Sequence, residues 1–233
     1  VPMLERCRSL GCELVHGADL VIHCAGAIKA RDHAAFQAAN AESVEWLIEA
    51  CATTGTTPRF ILLSTLAARE PKISAYAGSK HAGEQVADAL RDALAGLTIL
   101  RPPAVYGPGD RETLTFFKLL QRGLAVVPKQ PEARLSLIHV ADLVECVARL
   151  AAAEAPPQGT FEIGDPAPEG YSWPELIAAG EDAVGRPARR IELPRPLAIA
   201  LGTTVSEAAE VGESAAKRRS GKVGGLFNPH KRR

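Results

Sequence analysis

Continuous apolar runs bounded by turn residues recur along the first half of the chain, and stretches with helical spacing separate them. Asp19-Leu-Val-Ile-His-Cys24, Arg59-Phe-Ile-Leu-Leu-Ser64 and Leu97-Thr-Ile-Leu-Arg101 read as strands buried on both faces, as in a parallel sheet. Between the first two, Ala34 to Cys51 offers Phe36, Ala39, Val44, Leu47 and Ile48 to one helical face, and Thr53-Thr-Gly-Thr-Thr-Pro58 stops it. A second helix is expected from about Ala75 to Ala95, ended by Gly96. Strand and helix alternate, which predicts an α/β fold with helices on both faces of a parallel sheet.

Two regions break the rhythm. Near the start, Pro2 to Leu10 reads as the last turns of a helix and Cys12 to His16 as a short strand, with only Gly17 and Ala18 before the strand at Asp19. Parallel neighbours need a crossover of a dozen or more residues, so these two strands form a hairpin or a crossover helix is missing between them; the pattern favours a missing helix. After Arg101 comes a Pro/Gly-rich loop to Asp110. A helix from about Glu112 to Arg122, a strand from Leu135 to Val140, a helix from Ala141 to Ala155 and a strand from Thr160 to Gly164 follow. The tail adds a helix near Trp173 to Val184, a strand at Arg190 to Leu193, a proline-bounded helix from Pro196, and a basic stretch from Ser214 to Arg233 read as a loosely packed terminus. The organisation expected is a dinucleotide-binding domain over 1–110 and a mixed region over 111–233.

Composition narrows the functional classes. Lys+Arg and Asp+Glu each number 27, so no overall field draws the protein to nucleic acid or to an anionic membrane. The five cysteines are scattered without a C-x-x-C pair, suggesting reduced thiols in a cytoplasm rather than disulfides or zinc. The six histidines show no metal-ligand spacing, so no metal is expected. No run approaches the ~20 apolar residues of a membrane span. Val1 is not an initiator methionine, so the chain is expected to begin partway into a longer product.

The chemistry sits in Tyr76-Ala-Gly-Ser-Lys80, which puts a phenol and an ammonium four residues apart on one helix face. That spacing is a weak signal alone. It gains weight from Ser64, at the carboxyl end of a predicted buried strand, because ligands of open parallel sheets bind at those strand ends.

These residues resemble the extended short-chain dehydrogenase/reductase family, in which Ser/Thr, Tyr and Lys at similar spacing form the catalytic set. Three further segments carry the likeness. Ala18-Asp-Leu-Val-Ile-His-Cys-Ala-Gly26 is similar to the strand under the family's cofactor; Leu100-Arg-Pro-Pro-Ala-Val-Tyr-Gly-Pro-Gly109 to L-R-P-x-x-V-Y-G-P-G; and Ile138-His-Val-Ala-Asp-Leu143 to I-H-V-x-D-L. The resemblance implies a Rossmann-like, doubly wound parallel sheet with a smaller C-terminal substrate lobe. It also implies NAD or NADP as cofactor and a small-molecule alcohol or carbonyl substrate, and it allows a homodimer. Ser64, Tyr76, Lys80 and Asn40 are then the catalytic candidates. Cys24, Ala25, Gly26, Tyr76, Lys80, Pro103, Ala104 and Val105 are the cofactor-binding ones. In this reading Tyr76 exchanges the proton, Ser64 donates a hydrogen bond to the reacting oxygen, and Lys80 holds the nicotinamide ribose and favours the phenolate. Lowering a tyrosine from ~10 to ~7 takes about 4 kcal/mol, and a cation at ~4 Å in an effective dielectric of ~20 supplies about that.

Other residues carry less. Asp142 is expected to cap a helix, and Trp46 and Trp173 to pack. Arg134 lies one residue out of register with the phosphate-binding arginine of sugar-nucleotide epimerases, which in an alternating strand turns it to the opposite face. Ser64-Thr-Leu-Ala67 lacks the Asp-Glu pair with which the family's dehydratases eliminate water, and the V-Y-G run frequent in epimerases at that loop is absent. The balance tilts toward alcohol/carbonyl oxidoreduction, with a sugar-nucleotide epimerase or a non-catalytic cofactor-binding scaffold as alternatives. The family's G-x-x-G-x-x-G phosphate loop does not occur in these 233 residues, so the chain taken alone is expected to bind dinucleotide weakly.

Overall fold

A computed structural model describes residues 12–110, 112–129, 133–167 and 169–194. The expected helices at Pro2 to Leu10 and from Pro196, and the basic tail, lie outside those residues. The chain divides into two compact units, one of residues up to Pro103 with Leu150–Ile163, the other of Ala104–Arg149 with the residues from Gly164 onward.

The first unit is built on a four-stranded parallel sheet in the order β1-β2-β3-β8, with β1 Leu20–His23, β2 Arg59–Leu63, β3 Gly96–Arg101 and β8 Gly159–Glu162. Apolar residues face one another along much of the register, as Val21 with Phe60, Ile22 with Ile61 and Leu62 with Ile99. The alternation within β2 and β3 sends Phe60, Leu62, Leu97 and Ile99 into one cluster. There they meet Val44 and Ile48 of α3 (Ser43–Thr53) and Ala87 of α4 (Ala75–Ala89). Ser74 caps α4 by accepting from Ala77 N.

Three features of this unit differ from the sequence reading. Residues 12–15 form a helical turn, α1, not a strand, closed by a 3.2 Å bond from His16 N to Cys12 O. Val15 packs into a small cluster with Ala50 and Cys51 while Leu14 stays 75% exposed, so the apolar alternation there follows a helix edge and not a pleat. Gly17, at φ +72°, then turns the chain into β1. This is an ordinary helix-to-strand link, so neither the hairpin nor the missing crossover helix is needed at this junction.

The helix expected from Ala34 is interrupted. It runs as α2 (His33–Gln37), a π-helical turn over Ala38–Glu42, and α3. The second helix is shorter than expected, giving way to a 3₁₀ turn at Arg91–Ala93 before β3.

The second unit has three small strand pairs. β5 (Leu124–Pro128) and β10 (Arg189–Leu193) are parallel, as are β4 (Ala104–Tyr106) and β7 (Leu137–His139), while β6 (Arg134–Leu135) and β9 (Tyr171–Ser172) are antiparallel. α5 (Glu112–Gln121) and α7 (Trp173–Val184) enclose a core of Leu120, Val127, Leu135, Trp173 and Ile177. α6 (Val140–Ala152) follows β7 directly. The strand expected over Leu135 to Val140 is thus two short strands, because Ser136 intervenes and Val140 begins the helix. The loop expected over Pro102 to Asp110 contains β4.

Candidate functional site

In the first unit the carboxyl ends of β1, β2 and β3 meet the amino-terminal half of α4, and buried polar side chains gather there. Lys80 is 7% exposed, and its Nζ donates to Leu63 O at the end of β2 over 2.6 Å. Tyr76 lies one turn earlier on α4, half-buried, with its ring 6.3 Å from that of Phe36. Burial pushes the Lys80 ammonium down to about 8, with the nearby Glu84 carboxylate and then Cys24 opposing the shift.

The sign of that shift makes a prediction. Between pH ~8 and pH ~10.5 the unfolded chain keeps a proton at Lys80 that the folded chain has released, so stability rises with pH across this window. Below about 8 both states are protonated and the cost of burying the charge is fully present. We expect Lys80→Met to flatten that rise, worth ~3 kcal/mol. Urea unfolding at neutral pH and at pH ~10 measures it.

Asn40 belongs to the π-helical turn and is 1% exposed. Its Oδ1 accepts from Ala27 N at 2.8 Å, and its Nδ2 donates to Ala27 O and to Ser79 Oγ, each at 2.9 Å. Ser79 in turn donates to Tyr76 O at 2.8 Å. Asn40 therefore ties the loop after β1 to the helix bearing Tyr76 and Lys80. Its side-chain amide is thus engaged by protein on both sides, at Ala27 and at Ser79. A side chain on Gly26 would put its Cβ 2.7 Å from Asn40 Oδ1, so the loop of exposed Cys24, Ala25 and Gly26 keeps bare backbone there.

Ser64 stands at the end of β2 as expected, but its hydroxyl hydrogen is already donated to Glu84. Both groups are buried, at 6% and 5% exposure. Arg101 completes the arrangement, with Nε 2.9 Å from one Glu84 oxygen and Nη2 2.5 Å from the other. Next to Ser64, Thr65 has extended backbone (φ −152°, ψ 151°), and its Oγ1 accepts from Ala67 N at 3.3 Å. Accepting a bond leaves the Thr65 O–H hydrogen available as a donor.

His23, the last residue of β1, stacks on Phe60, and its Nε2 is 3.5 Å from Ser43 Oγ. Burial, and then the Lys80 charge, push its imidazole down to about 4, so it is neutral at pH 7.

Pro103 ends the first unit's segment, and Ala104 and Val105 lie in β4 of the second, paired with Leu137 and Ile138. Arg134 is engaged by backbone, donating at 2.9 Å to both Glu169 O and Gly170 O. Asp142 sits within the first turn of α6, where the ring Nδ1 of His139 accepts from Ala141 N at 3.2 Å and so does the capping expected of the aspartate. Trp173 is buried in the second unit's core, as a packing residue. Among the described residues no group of three or more His, Cys, Asp or Glu gathers to hold a metal ion, and no helix is long and apolar enough to cross a membrane.

Sequence reasoning missed Glu84, Arg101 and Thr65. Glu84 follows Lys80 at i+4, a legible helix pair, but a glutamate at that spacing is ordinarily solvated. Only its pairing with Arg101 across the sheet marks it.

Comparison with known proteins bears on the family and the fold. Residues 11–164 match the model of the NAD dependent epimerase/dehydratase family. A ceramide reductase of Caulobacter vibrioides (strain NA1000 / CB15N) is 41% identical over 193 residues, 82% of this chain, which spans 58% of that relative's length. Among solved structures, UDP-glucuronic acid 4-epimerase from Bacillus cereus in complex with NAD superposes with a TM-score of 0.68 at 18% identity, covering 89% of this chain and 77% of that one. The dTDP-4-dehydrorhamnose reductase from Bacillus anthracis str. Ames in complex with NADP gives 0.66 at 17% identity, covering 83% and 71%. At such identities the superpositions speak for the fold alone.

Proposed function

Because the chain belongs to the NAD dependent epimerase/dehydratase family, we propose that it transfers hydride between a nicotinamide cofactor, NAD or NADP, and an alcohol or carbonyl substrate, with Tyr76 exchanging the proton. The observation that carries this reading is the buried Lys80 ammonium one helical turn from Tyr76, at the carboxyl ends of parallel strands. When bound, the cofactor supplies or accepts the hydride.

The residues present suit its nicotinamide and ribose end. Bare backbone at Gly26 permits close approach, and Lys80 keeps donors beyond the one given to Leu63 O. The phosphate-binding G-x-x-G-x-x-G does not occur in these residues. In reduction, Tyr76 donates its proton to the oxygen of the carbonyl being reduced, and Lys80 favours the phenolate that remains. In oxidation the same phenolate takes the hydroxyl proton.

Reduction is favoured over epimerisation because the 41%-identical relative is a reductase, and Leu66 and Ala67 supply no carboxylate for elimination. Since that relative is named a ceramide reductase, we choose a long-chain keto-amide as the first compound to assay, alongside simple ketones and a UDP-sugar. Consumption of NADH or NADPH with a ketone supports the reading. Interconversion of UDP-sugar epimers without net cofactor turnover supports the alternative.

The hydroxyl beside the reacting oxygen belongs to Thr65 in this proposal, since that of Ser64 is engaged by Glu84. Thr65→Val is expected to lower kcat by ~10², with a loss of stability of about 1 kcal/mol for the capping bond from Ala67 N. Ser64→Ala is expected to lower stability by ~1–3 kcal/mol, by depriving the buried carboxylate of a donor, with a smaller effect on kcat. Paired measurements of kcat and urea midpoint distinguish them, and the reverse pattern would return the role to Ser64.

A further inference from the structure

We propose that Glu84 is a positioning residue for the Tyr76–Lys80 pair, the buried anion that holds the ends of β2 and β3 to α4 and keeps Lys80 an ammonium at neutral pH. The proposal rests on the reading of Tyr76 and Lys80 as the proton-transfer pair. It adds a group that touches neither substrate nor cofactor and acts through Lys80.

Three observations converge on it. Glu84 is 5% exposed, four residues after Lys80 on the same helix. Its two oxygens are bonded by Ser64 Oγ, Arg101 Nε and Arg101 Nη2, so it fastens α4 to two neighbouring strand ends, including the β2 end whose Leu63 O receives Lys80. Gly83, beside it, brings the α4 backbone against the π-helical turn so closely that a Cβ would lie 2.2 Å from Asn40 O. The helix therefore has little freedom to place Glu84 anywhere else.

The charges around Lys80 single out Glu84. From β1, Lys80 is faced by His23, neutral at pH 7, and by Cys24, whose thiol burial pushes up against the pull of Lys80 and so keeps neutral. From its own helix it is faced by Tyr76 and Glu84. Glu84 itself is faced by Arg101 from β3, Ser64 from β2 and His81 Nδ1 at 3.9 Å. Beyond Arg101 lies Glu162 of β8 at 3.9 Å, paired in turn with Arg69 at 3.1 Å. Among these groups Glu84 is the anion that acts on Lys80, and it opposes the burial that drives the ammonium toward neutrality.

An uncharged residue at 84 removes that support and leaves the Arg101 guanidinium without the carboxylate it is paired with. A merely structural contribution predicts something else. Loosening α4 would admit water to Lys80 and raise its pKa toward the ordinary lysine value, whereas loss of the charge lowers it.

The test is a ¹³C titration of the Lys80 ε-carbon, assigned by its disappearance in Lys80→Met, in the cofactor-free protein. Wild type is expected to show a midpoint at about 8. Glu84→Gln is expected to lower it by about one pH unit, and Glu84→Asp, which keeps the charge, to restore most of it. Should Glu84→Gln not fold, the double variant Glu84→Met with Arg101→Met removes the pair without leaving either charge unmatched, and the midpoint again falls. A midpoint that stays or rises in the folded uncharged variant overturns the proposal. The alkaline limb of kcat should follow the Lys80 midpoint downward in Glu84→Gln. If the midpoint moves and the limb does not, the role given to Tyr76 and Lys80 fails while the hold of Glu84 on Lys80 stands.

Discussion

Tyr76→Phe is expected to lower the turnover of a ketone substrate by ~10³-fold or more while leaving the folded protein intact. The phenyl ring keeps its place near Phe36, and Tyr76 lies on a helix whose amino end is fixed independently by the Ser74 cap. The change removes one hydroxyl and little packing, so the free energy of unfolding falls by no more than about 1 kcal/mol. Loss of a positioned general acid ordinarily costs ~10²–10⁴-fold, and no other described group is expected to substitute for it. His23 is buried and neutral, the Ser64 hydrogen is given to Glu84, and the Lys80 donors go to Leu63 O and, in this proposal, to the cofactor's ribose. Steady-state kinetics with NADH and NADPH, together with urea unfolding of the same preparation, separate a lost proton donor from a lost fold.

The second large effect is on stability. Gly83→Val is expected to destabilise the protein by ~3 kcal/mol or more, because even the first added carbon would sit 2.2 Å from Asn40 O, and the atom in the way is backbone. Relief requires α4 to move off the π-helical turn. That movement would weaken the Asn40 bond to Ser79 and, with it, the loop held by Asn40 at Ala27. In a chain of this size that is a fall in Tm of ~10 °C, measurable by calorimetry. An unchanged Tm would mean that α4 and the turn are not held together as closely as described.

The sheet was legible because parallel strands announce themselves. β1, β2 and β3 are apolar on both faces, and each was expected within one or two residues of where it lies. β5 was missed: Gly123 and Pro128 bound it like a loop, and it is a strand because it pairs with β10 more than sixty residues later. β4 was hidden in the same way inside Pro102–Asp110 and depends on β7. Residues 12–15 misled in the other direction, since a short, mostly apolar run fits a helix edge as well as a strand.

At the candidate site, Tyr76, Lys80 and Asn40 were readable from spacing and resemblance. Which hydroxyl is engaged and which is available was not. Ser64 and Thr65 differ only in what tertiary structure brings to each, and the partner that engages Ser64 comes from twenty residues away on α4. The π-helical turn that carries Asn40 left no signal in the sequence, because one extra residue per turn does not disturb an apolar pattern this short.

Deuterium transfer tests the central claim most directly. The protein is incubated with a long-chain keto-amide and with NADH or NADPH deuterated at the transferable position, and the alcohol is examined by mass spectrometry. The account predicts one deuterium on the carbinol carbon with wild type and none above background with Tyr76→Phe. Product alcohol without deuterium, or equal labelling by the two proteins, would contradict it.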